Sequence, residues 1–199
     1  MNGSTISRSD KEYKEQLRDL GGLSIGSHCA YVFTDSSEKQ LRLFRLVRES
    51  LNDPSAAVLY IAGKQGVKGI RFSLKDYGID VGGIERLWRI RIADSEEWYL
   101  IPGKTPSFKA ISTIQNQFSE FVKTEEKHGY YYITIISETD YIVRKGFFKE
   151  YRELEAALGK SALLSNGVLV CAYDERELKA AGLTNSSLDL SELHSTMLT

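Results

Sequence analysis

Apolar residues in this chain fall into short, nearly continuous runs separated by longer amphipathic stretches. The longest run, residues 130–138, is rich in aromatic and β-branched residues and ends abruptly at polar side chains. Such a run is typical of a parallel strand covered on both faces, because a strand with one solvated face would alternate strictly. We therefore predict a central strand here. Similar runs predict strands at 29–33, 57–62, 87–92 and 167–173.

The stretches between these runs repeat their apolar residues at helical spacing. Asp35 is placed to cap the first predicted helix, and Glu38 follows three residues later, as in a capping box. The buried face of this helix is predicted to comprise Leu41, Phe44, Val47 and Leu51. A separate stripe, predicted to face solvent, comprises Arg42, Arg45 and Arg48. Further helices are predicted at 67–77, 108–127, 147–158 and 175–181.

Strand and helix alternate from residue 23 onward, which predicts an α/β fold. We expect a doubly wound, mostly parallel sheet of about five or more strands, flanked by helices on both faces. Residues 23–199 should form one domain, because 199 residues with 42% hydrophobic content supply one good core. Residues 1–22 are predicted to be a polar extension with a short helix from Asp10 to Leu20. The strand at 87–92 alternates after Trp88, which is typical of an edge strand whose Arg89 and Arg91 face water.

The charge of the chain is nearly balanced, with 26 basic and 27 acidic side chains. No overall field would therefore attract nucleic acid or an anionic bilayer. No apolar segment approaches about 18 uncharged residues, and the first ten residues lack the apolar core of a signal peptide. We expect a cytoplasmic protein without a membrane or a direct nucleic-acid partner.

Two cysteines, Cys29 and Cys171, lie in strand-like apolar surroundings, and neither belongs to a paired-cysteine motif. We expect both to be buried, reduced thiols, with a disulfide or a metal site as the alternatives.

Residues 63–69, Gly-Lys-Gln-Gly-Val-Lys-Gly, superficially resemble a phosphate-binding loop. A Walker A loop has four residues between its glycines and ends in Gly-Lys-Ser/Thr, so that backbone amides, a lysine and a hydroxyl converge on the phosphates. Here Lys68 is followed by Gly69, and the glycines are too close together. The sequence therefore predicts an ordinary strand-to-helix turn.

Residues 94–106 are predicted to form a loop that contains Trp98 and Tyr99. Aromatic residues in a loop either plug the core or line a pocket, and the sequence leaves both possibilities open. At the end of the central strand, Ser137, Glu138 and Thr139 fall where open parallel sheets bind ligands, outside the carboxyl ends of their strands.

Four short motifs together resemble one family, the MEDS sensory domain of methanogen proteins and of a dichloromethane-responsive transcriptional regulator. The resemblance covers the chain from about Gly22 to its end. Its motifs are Gly26-Ser27-His28 at the first strand, Glu97-Trp98-Tyr99-Leu100 with Gly103-Lys104, Glu155 on a helix, and Val170-Cys171-Ala172-Tyr173 in the last main strand. The positions of His28, Glu138, Glu155 and Cys171 match recurrent polar or thiol positions of that family.

The resemblance implies a RecA/KaiC-like fold that has lost its phosphate loop. It also implies the sensing of small molecules, with hydrocarbon derivatives among the candidates, and signalling to a kinase or a transcription regulator. Many relatives have a cysteine two residues after the histidine, and this chain has Ala30 there, which argues against a shared His/Cys metal site. Relatives often have Gly-Glu where this chain has Ser137-Glu138.

The leading hypothesis is a non-catalytic ligand-sensing regulatory domain that uses no cofactor and no metal. Its ligand-binding residues are predicted over the carboxyl ends of the strands: His28, Trp98, Tyr99, Glu138 and Tyr173. Gly26, Glu155 and Cys171 are predicted to be structural or family-motif residues. The alternatives are a nucleotide-binding protein or residual hydrolase that uses Glu138 and His28, and an oligomeric adaptor that pairs through the edge at 88–92.

Overall fold

The computed structural model describes residues 23–159 and 165–183, together with the backbone of 196–198. The strands are β1 His28–Phe33, β2 Ala56–Ala62, β3 Ile90–Asp94, β4 Leu100–Ile101, β5 Ser107–Phe108, β6 Tyr132–Glu138, β7 Gly167–Asp174 and β8 Thr196–Leu198. The helices are α1 Ser36–Asn52, α2 Gly66–Asp76, α3 Val81–Arg86, α4 Ser95–Tyr99, α5 Ile111–Lys127, α6 Asp140–Arg144, α7 Phe148–Leu158 and α8 Glu175–Ala180. The predicted N-terminal helix lies outside the described residues.

Six strands form one parallel sheet in the order β3-β2-β6-β7-β1-β8. Every residue of β2 and of β7 is buried, as expected for strands covered on both faces. The short strands β4 and β5 form a separate antiparallel pair. The prediction of a doubly wound, mostly parallel α/β fold is therefore confirmed, and β3 lies at the sheet edge as predicted.

Two apolar cores lie on opposite faces of this sheet. Helices α1, α2 and α3 cover one face of the sheet, which we call the α1 face. Helices α4 to α8 cover the opposite face, which we call the α7 face. Because side chains alternate along a strand, Ser137 points to the α7 face whereas Glu138 points to the α1 face.

The connections after β2 and β6 leave toward opposite faces, although these two strands are neighbours. The chain runs from β2 into α2 on the α1 face, and from β6 into α6 on the α7 face. Divergent connections of this kind open a crevice at the carboxyl ends of the strands, which is the usual ligand position in open α/β sheets. Gly63, Lys64, Glu138 and Asp140 meet there.

Several local predictions need correction. Leu41 is 60% exposed, whereas Phe44 and Val47 are buried as predicted, and the buried stripe of α1 also contains Lys39, Leu43 and Leu46. The third strand begins at Ile90, because Leu87 ends helix α3 and Trp88 adopts a left-handed φ of 60° that interrupts extended backbone.

Arg89 does not simply face water. Its guanidinium donates hydrogen bonds to the backbone carbonyls of Leu51 (2.8 Å), Ala56 (3.2 Å) and Asp53. It therefore ties the turn between α1 and β2 to the edge strand. Carbonyls at a helix end lack intrahelical partners, so a cation there satisfies backbone acceptors that would otherwise need water.

Two predicted segments contain more regular structure than expected. The 94–106 loop includes helix α4, capped by the Asp94 carboxylate, and strand β4. The helix predicted at 147–158 corresponds to α7, and an additional short helix, α6, precedes it; Gly146, whose φ of 84° is left-handed, separates the two helices.

Replacing Asp174 by alanine is expected to lower the free energy of unfolding by about 1 kcal/mol at neutral pH. The Asp174 carboxylate caps α8 by accepting hydrogen bonds from the Arg176 amide (2.9 Å) and from its guanidinium (2.7 Å). Burial alone would raise the pKa of Asp174, but the hydrogen bonds from Arg176 hold it below its usual value. The stabilisation is therefore present above the unfolded pKa of about 3.9 and is lost as the pH falls through the lower folded pKa.

Urea denaturation of the wild type and Asp174→Ala over a pH series measures this difference. Asp174→Asn is the matched control, because its amide oxygen keeps a capping acceptor without the charge, so its smaller loss should not change with pH. A loss for Asp174→Ala that is the same at every pH would contradict the prediction.

Candidate functional site

Glu138 is the centre of a buried polar group at the carboxyl end of β6. Its Oε1 accepts a hydrogen bond from the Tyr60 hydroxyl (2.5 Å) and lies 3.1 Å from Lys39 Nζ. Its Oε2 accepts from the Gly63 amide at 3.2 Å. Both members of the Lys39–Glu138 ion pair are almost fully buried. Burial and the Glu138 charge raise the pKa of Tyr60 well above its usual value, so its hydroxyl remains a donor.

Asp140 extends this group toward the start of α6. Its carboxylate accepts a hydrogen bond from the Lys64 amide, 3.2 Å from each oxygen, and the side chain is buried. Gly63 makes the close approach possible, since a Cβ there would lie 1.8 Å from Asp140 Oδ1 and 3.0 Å from Glu138 Cβ. The carboxylates of Glu138 and Asp140 therefore accept hydrogen bonds from two backbone amides of the β2–α2 turn.

A second buried polar group crosses the α7 face. The Tyr99 hydroxyl lies 2.8 Å from Ser137 Oγ, which lies 3.0 Å from the Tyr151 hydroxyl. Tyr151 in turn donates to Cys171 Sγ at 3.5 Å. These side chains come from α4, β6, α7 and β7, so a continuous polar chain links elements that are distant in sequence.

His28, Glu155 and Cys171 lie at the far end of that chain. His28 Nε2 is 3.4 Å from Cys171 Sγ and 3.9 Å from Glu155 Oε1, and all three side chains are buried. Tyr173 is buried beside this group, and burial and the Glu155 charge raise the pKa of its hydroxyl well above its usual value. Burial and the Glu155 charge raise the pKa of the Cys171 thiol well above its usual value.

A groove of about 550 Å³ lies beside the edge strand β3. Its apolar walls include Trp88, Trp98 and Phe121, and Arg91 and Glu125 bring charge to it. The Arg91 guanidinium lies 5.4 Å from the centroid of the Trp98 ring, which is a cation–π contact. Trp98 Nε1 is buried and has no hydrogen-bond partner among the residues that the structure describes.

The structure divides the predicted ligand-binding residues among three places. His28, Tyr99 and Tyr173 lie in the buried polar group on the α7 face, Glu138 lies on the α1 face, and Trp98 borders the groove. His28 begins β1, so it lies at the amino end of its strand rather than over the carboxyl ends. Whether any of these residues binds a ligand stays a prediction.

The predicted motif residues have clear local roles. Gly26 adopts a left-handed φ of 90° in the turn before β1, and its amide donates to the Gly167 carbonyl at 2.8 Å. Glu155 and Cys171 join His28 in the buried group. The aromatic residues Trp98 and Tyr99 are buried and belong to the apolar core on the α7 face. Trp98 additionally borders the groove.

Sequence reasoning missed Lys39, Tyr60, Asp140 and Tyr151 as members of these groups. Lys39 offered a usable signal, because it shares the helical stripe of Leu43, Leu46 and Val47 and so had to be buried against a counter-charge. Tyr60 and Tyr151 offered none, since tyrosine in an apolar run is ordinary core composition.

Comparison with solved structures places the architecture in the KaiC-like class. The KaiC-like protein PH0186 from the hyperthermophilic archaeon Pyrococcus horikoshii OT3 is similar with a TM-score of 0.61 at 11% identity, over 90% of this chain and 74% of that chain. At this identity the similarity shows the fold, and the predicted RecA/KaiC-like α/β fold is confirmed.

The sequence itself identifies the family. The family described as MEDS, MEthanogen/methylotroph, DcmR Sensory domain, matches residues 27–189. The chain therefore belongs to the MEDS family, as the sequence motifs predicted, and its role is sensory or regulatory. No match was found among curated proteins. None of the helices within the described residues is long and apolar enough to cross a bilayer.

Proposed function

We propose that this chain is a non-catalytic domain that binds a small molecule and relays its presence to a signalling or transcription partner. Membership of a sensory family is the observation that carries the proposal. Two features of the molecule support it. Carboxylates accept hydrogen bonds from the backbone amides that would otherwise be available to a phosphate, and a groove large enough for a small molecule lies beside β3.

The first helix begins in a way that disfavours phosphate. A phosphate at a helix N-terminus is held by unpaired backbone amides. In α1, Asp35 Oδ1 already accepts from the amides of Ser37 (2.8 Å) and Glu38 (2.9 Å), and Glu38 adds a second negative charge in the first turn. The two-residue connection from β1 to α1 leaves no room for a glycine-rich loop.

The turn after β2 is occupied in the same way. The Gly63 amide donates to Glu138 and the Lys64 amide donates to Asp140. A triphosphate would have to displace two buried carboxylates that repel it. These contacts support a domain that binds a small molecule and does not hydrolyse nucleotides.

The groove beside β3 is the ligand site that we propose. Its volume of about 550 Å³ lies within the roughly 300–1,000 Å³ of small-molecule pockets. Trp88, Trp98 and Phe121 offer apolar surface, while Arg91 and Glu125 can fix the orientation of a polar group. The matching ligand is a small organic molecule with an apolar body and one polar or charged group.

Helix α4 connects the groove to the buried polar chain on the α7 face. Trp98 borders the groove, and the adjacent Tyr99 begins the polar chain through Ser137 and Tyr151 to Cys171. A ligand that shifts Trp98 therefore also shifts the hydroxyl that anchors this chain. We propose this connection as the relay toward a kinase or transcription-regulator partner.

A ligand-stabilisation screen tests the proposal. A compound present at about 100 times its dissociation constant should stabilise the fold by about 2.7 kcal/mol and raise its Tm. Trp88→Asn should abolish the rise, because it removes a groove wall, and asparagine tolerates the left-handed φ at this position. Leu87→Asn is the matched control, since Leu87 is 59% exposed beside Trp88 (63%) and does not border the groove.

Two other results would overturn the proposal, one from an ATPase assay and one from the screen combined with light scattering. Hydrolysis of ATP with magnesium that is lost in Glu138→Gln would indicate an enzyme instead. A screen in which no compound stabilises the fold, while light scattering shows a defined oligomer, would favour an adaptor that pairs through the β3 edge.

A further inference from the structure

His28, Glu155 and Cys171 bring three metal-ligating side chains together from three separate elements. His28 begins β1, Cys171 lies within β7, and Glu155 lies on α7. Their donor atoms lie within 4.8 Å of one another, and all three side chains are buried. Such a set of imidazole, thiol and carboxylate donors is what zinc sites in proteins use.

The distances are close to those of a tetrahedral metal site. Bonds of about 2.3 Å to sulfur and about 2.0–2.1 Å to nitrogen and oxygen give tetrahedral edges of about 3.5 Å for N···S and about 3.3 Å for N···O. The observed edges are 3.4 Å from His28 Nε2 to Cys171 Sγ and 3.9 Å from His28 Nε2 to Glu155 Oε1. The third edge, from Cys171 Sγ to the Glu155 carboxylate, lies within 4.8 Å, so side-chain adjustments of about 1 Å would bring the three ligands onto one ion.

We propose that His28, Glu155 and Cys171 bind a divalent, thiophilic cation, with Zn²⁺ as the best-fitting candidate. A thiolate and a carboxylate carry two negative charges, which a divalent cation cancels, so the buried complex is neutral. The thiolate disfavours Mg²⁺ and Ca²⁺, which prefer all-oxygen ligands. Three protein ligands leave the fourth position of a tetrahedron for water or a small ligand.

A neighbouring side chain supports the thiol ligand. Tyr151 donates its hydroxyl to Cys171 Sγ at 3.5 Å, and Tyr173 lies close enough for the Glu155 charge to raise the pKa of its hydroxyl. Hydrogen bonds of this kind orient metal ligands and tune the ion. An ion here would join β1, β7 and α7, so it would brace the α7 face at the end of the polar chain from Tyr99.

The sequence predicts no metal site, because this chain has Ala30 where many relatives have a cysteine two residues after the histidine. The folded chain instead supplies the sulfur from β7, since parallel pairing of β1 with β7 sets Ala30 opposite Cys171. The inference rests on this geometry and is independent of the proposed small-molecule groove.

Metal titration of the refolded full chain tests the proposal. Because the three ligands are buried, the ion should enter during folding, so the chain is refolded from denaturant with Zn²⁺, with Co²⁺ or with a chelator. We expect one equivalent of bound metal, a higher Tm with Zn²⁺ than with the chelator, and a thiolate-to-cobalt charge-transfer band with Co²⁺.

Cys171→Ser should weaken zinc binding by more than about 100-fold, because loss of a supporting residue around a metal costs 10–100-fold by itself. Cys29→Ser is the matched control, since Cys29 is also buried in a strand but belongs to the core of the α1 face. Its metal content and cobalt spectrum should equal those of the wild type.

X-ray absorption of the wild-type zinc form gives a readout that does not depend on the folding of any variant. One sulfur at about 2.3 Å with nitrogen and oxygen at about 2.0–2.1 Å is expected. Refolded wild type without stoichiometric metal, a spectrum without sulfur, or a cobalt band that persists in Cys171→Ser would each overturn the assignment.

Discussion

Replacing Lys39 by methionine is expected to lower the free energy of unfolding by about 3 kcal/mol or more. Lys39 Nζ lies 3.1 Å from Glu138 Oε1, and both side chains are almost fully buried. Methionine fills a similar volume without the charge, so Glu138 would remain as a buried carboxylate without its cation. Urea denaturation followed by far-UV circular dichroism measures the loss.

Two further variants separate the ion pair from general damage to α1. In a Glu138→Gln background, Lys39→Met should cost less, with a coupling energy of at least about 1 kcal/mol. Lys179→Met removes a solvent-exposed partner of Glu175 (2.9 Å) and should cost less than about 1 kcal/mol. If Lys39→Met were as mild as Lys179→Met, the buried pair would not stabilise the carboxyl end of β6.

Replacing Gly63 by alanine is expected to destabilise the fold by about 1–3 kcal/mol, the usual cost of overpacking a buried site. The added Cβ would lie 1.8 Å from Asp140 Oδ1, 2.9 Å from its Cγ and 3.0 Å from Glu138 Cβ. Relief requires rotation of the Asp140 carboxylate away from the turn or movement of the β2–α2 turn itself, so the hydrogen bonds from Gly63 and Lys64 to the two carboxylates would also weaken. Chemical denaturation measures this change.

Gly82→Ala is the matched control for this substitution. A Cβ at Gly82 meets nothing nearer than 3.8 Å, and the residue lies in helix α3, where alanine is favoured over glycine by about 0.5–1 kcal/mol. Its stability should be unchanged or slightly higher. Equal effects of the two substitutions would show that the crowding around Gly63 is unimportant.

The strands were predictable because their signal is local. The buried runs at β2, β6 and β7 contain almost no charge, and that pattern indicates strands covered on both faces. The caps at Asp35 and Asp174 were predictable for the same reason, since a side chain that accepts from amides two or three residues ahead needs no distant partner.

The errors occurred where a distant contact decided the outcome. Arg89 was predicted to face water from strand alternation, but the carbonyls that it binds belong to the end of α1 and the following turn. The helical stripe of α1 indicates that Lys39 is buried, but its partner could not be assigned, because Glu138 lies 99 positions further along the chain.

The sequence by itself determined the α/β class, the family, and the lack of a Walker A pattern after β2, since each depends on residue order and short spacings. Only the tertiary structure decided which polar side chains share a site. Alternation along β6 sends Ser137 and Glu138 to opposite faces, and the pairing of β1 with β7 brings His28 near Cys171 across 143 positions. Such meetings depend on strand order and register, which long-range packing fixes and local sequence does not encode.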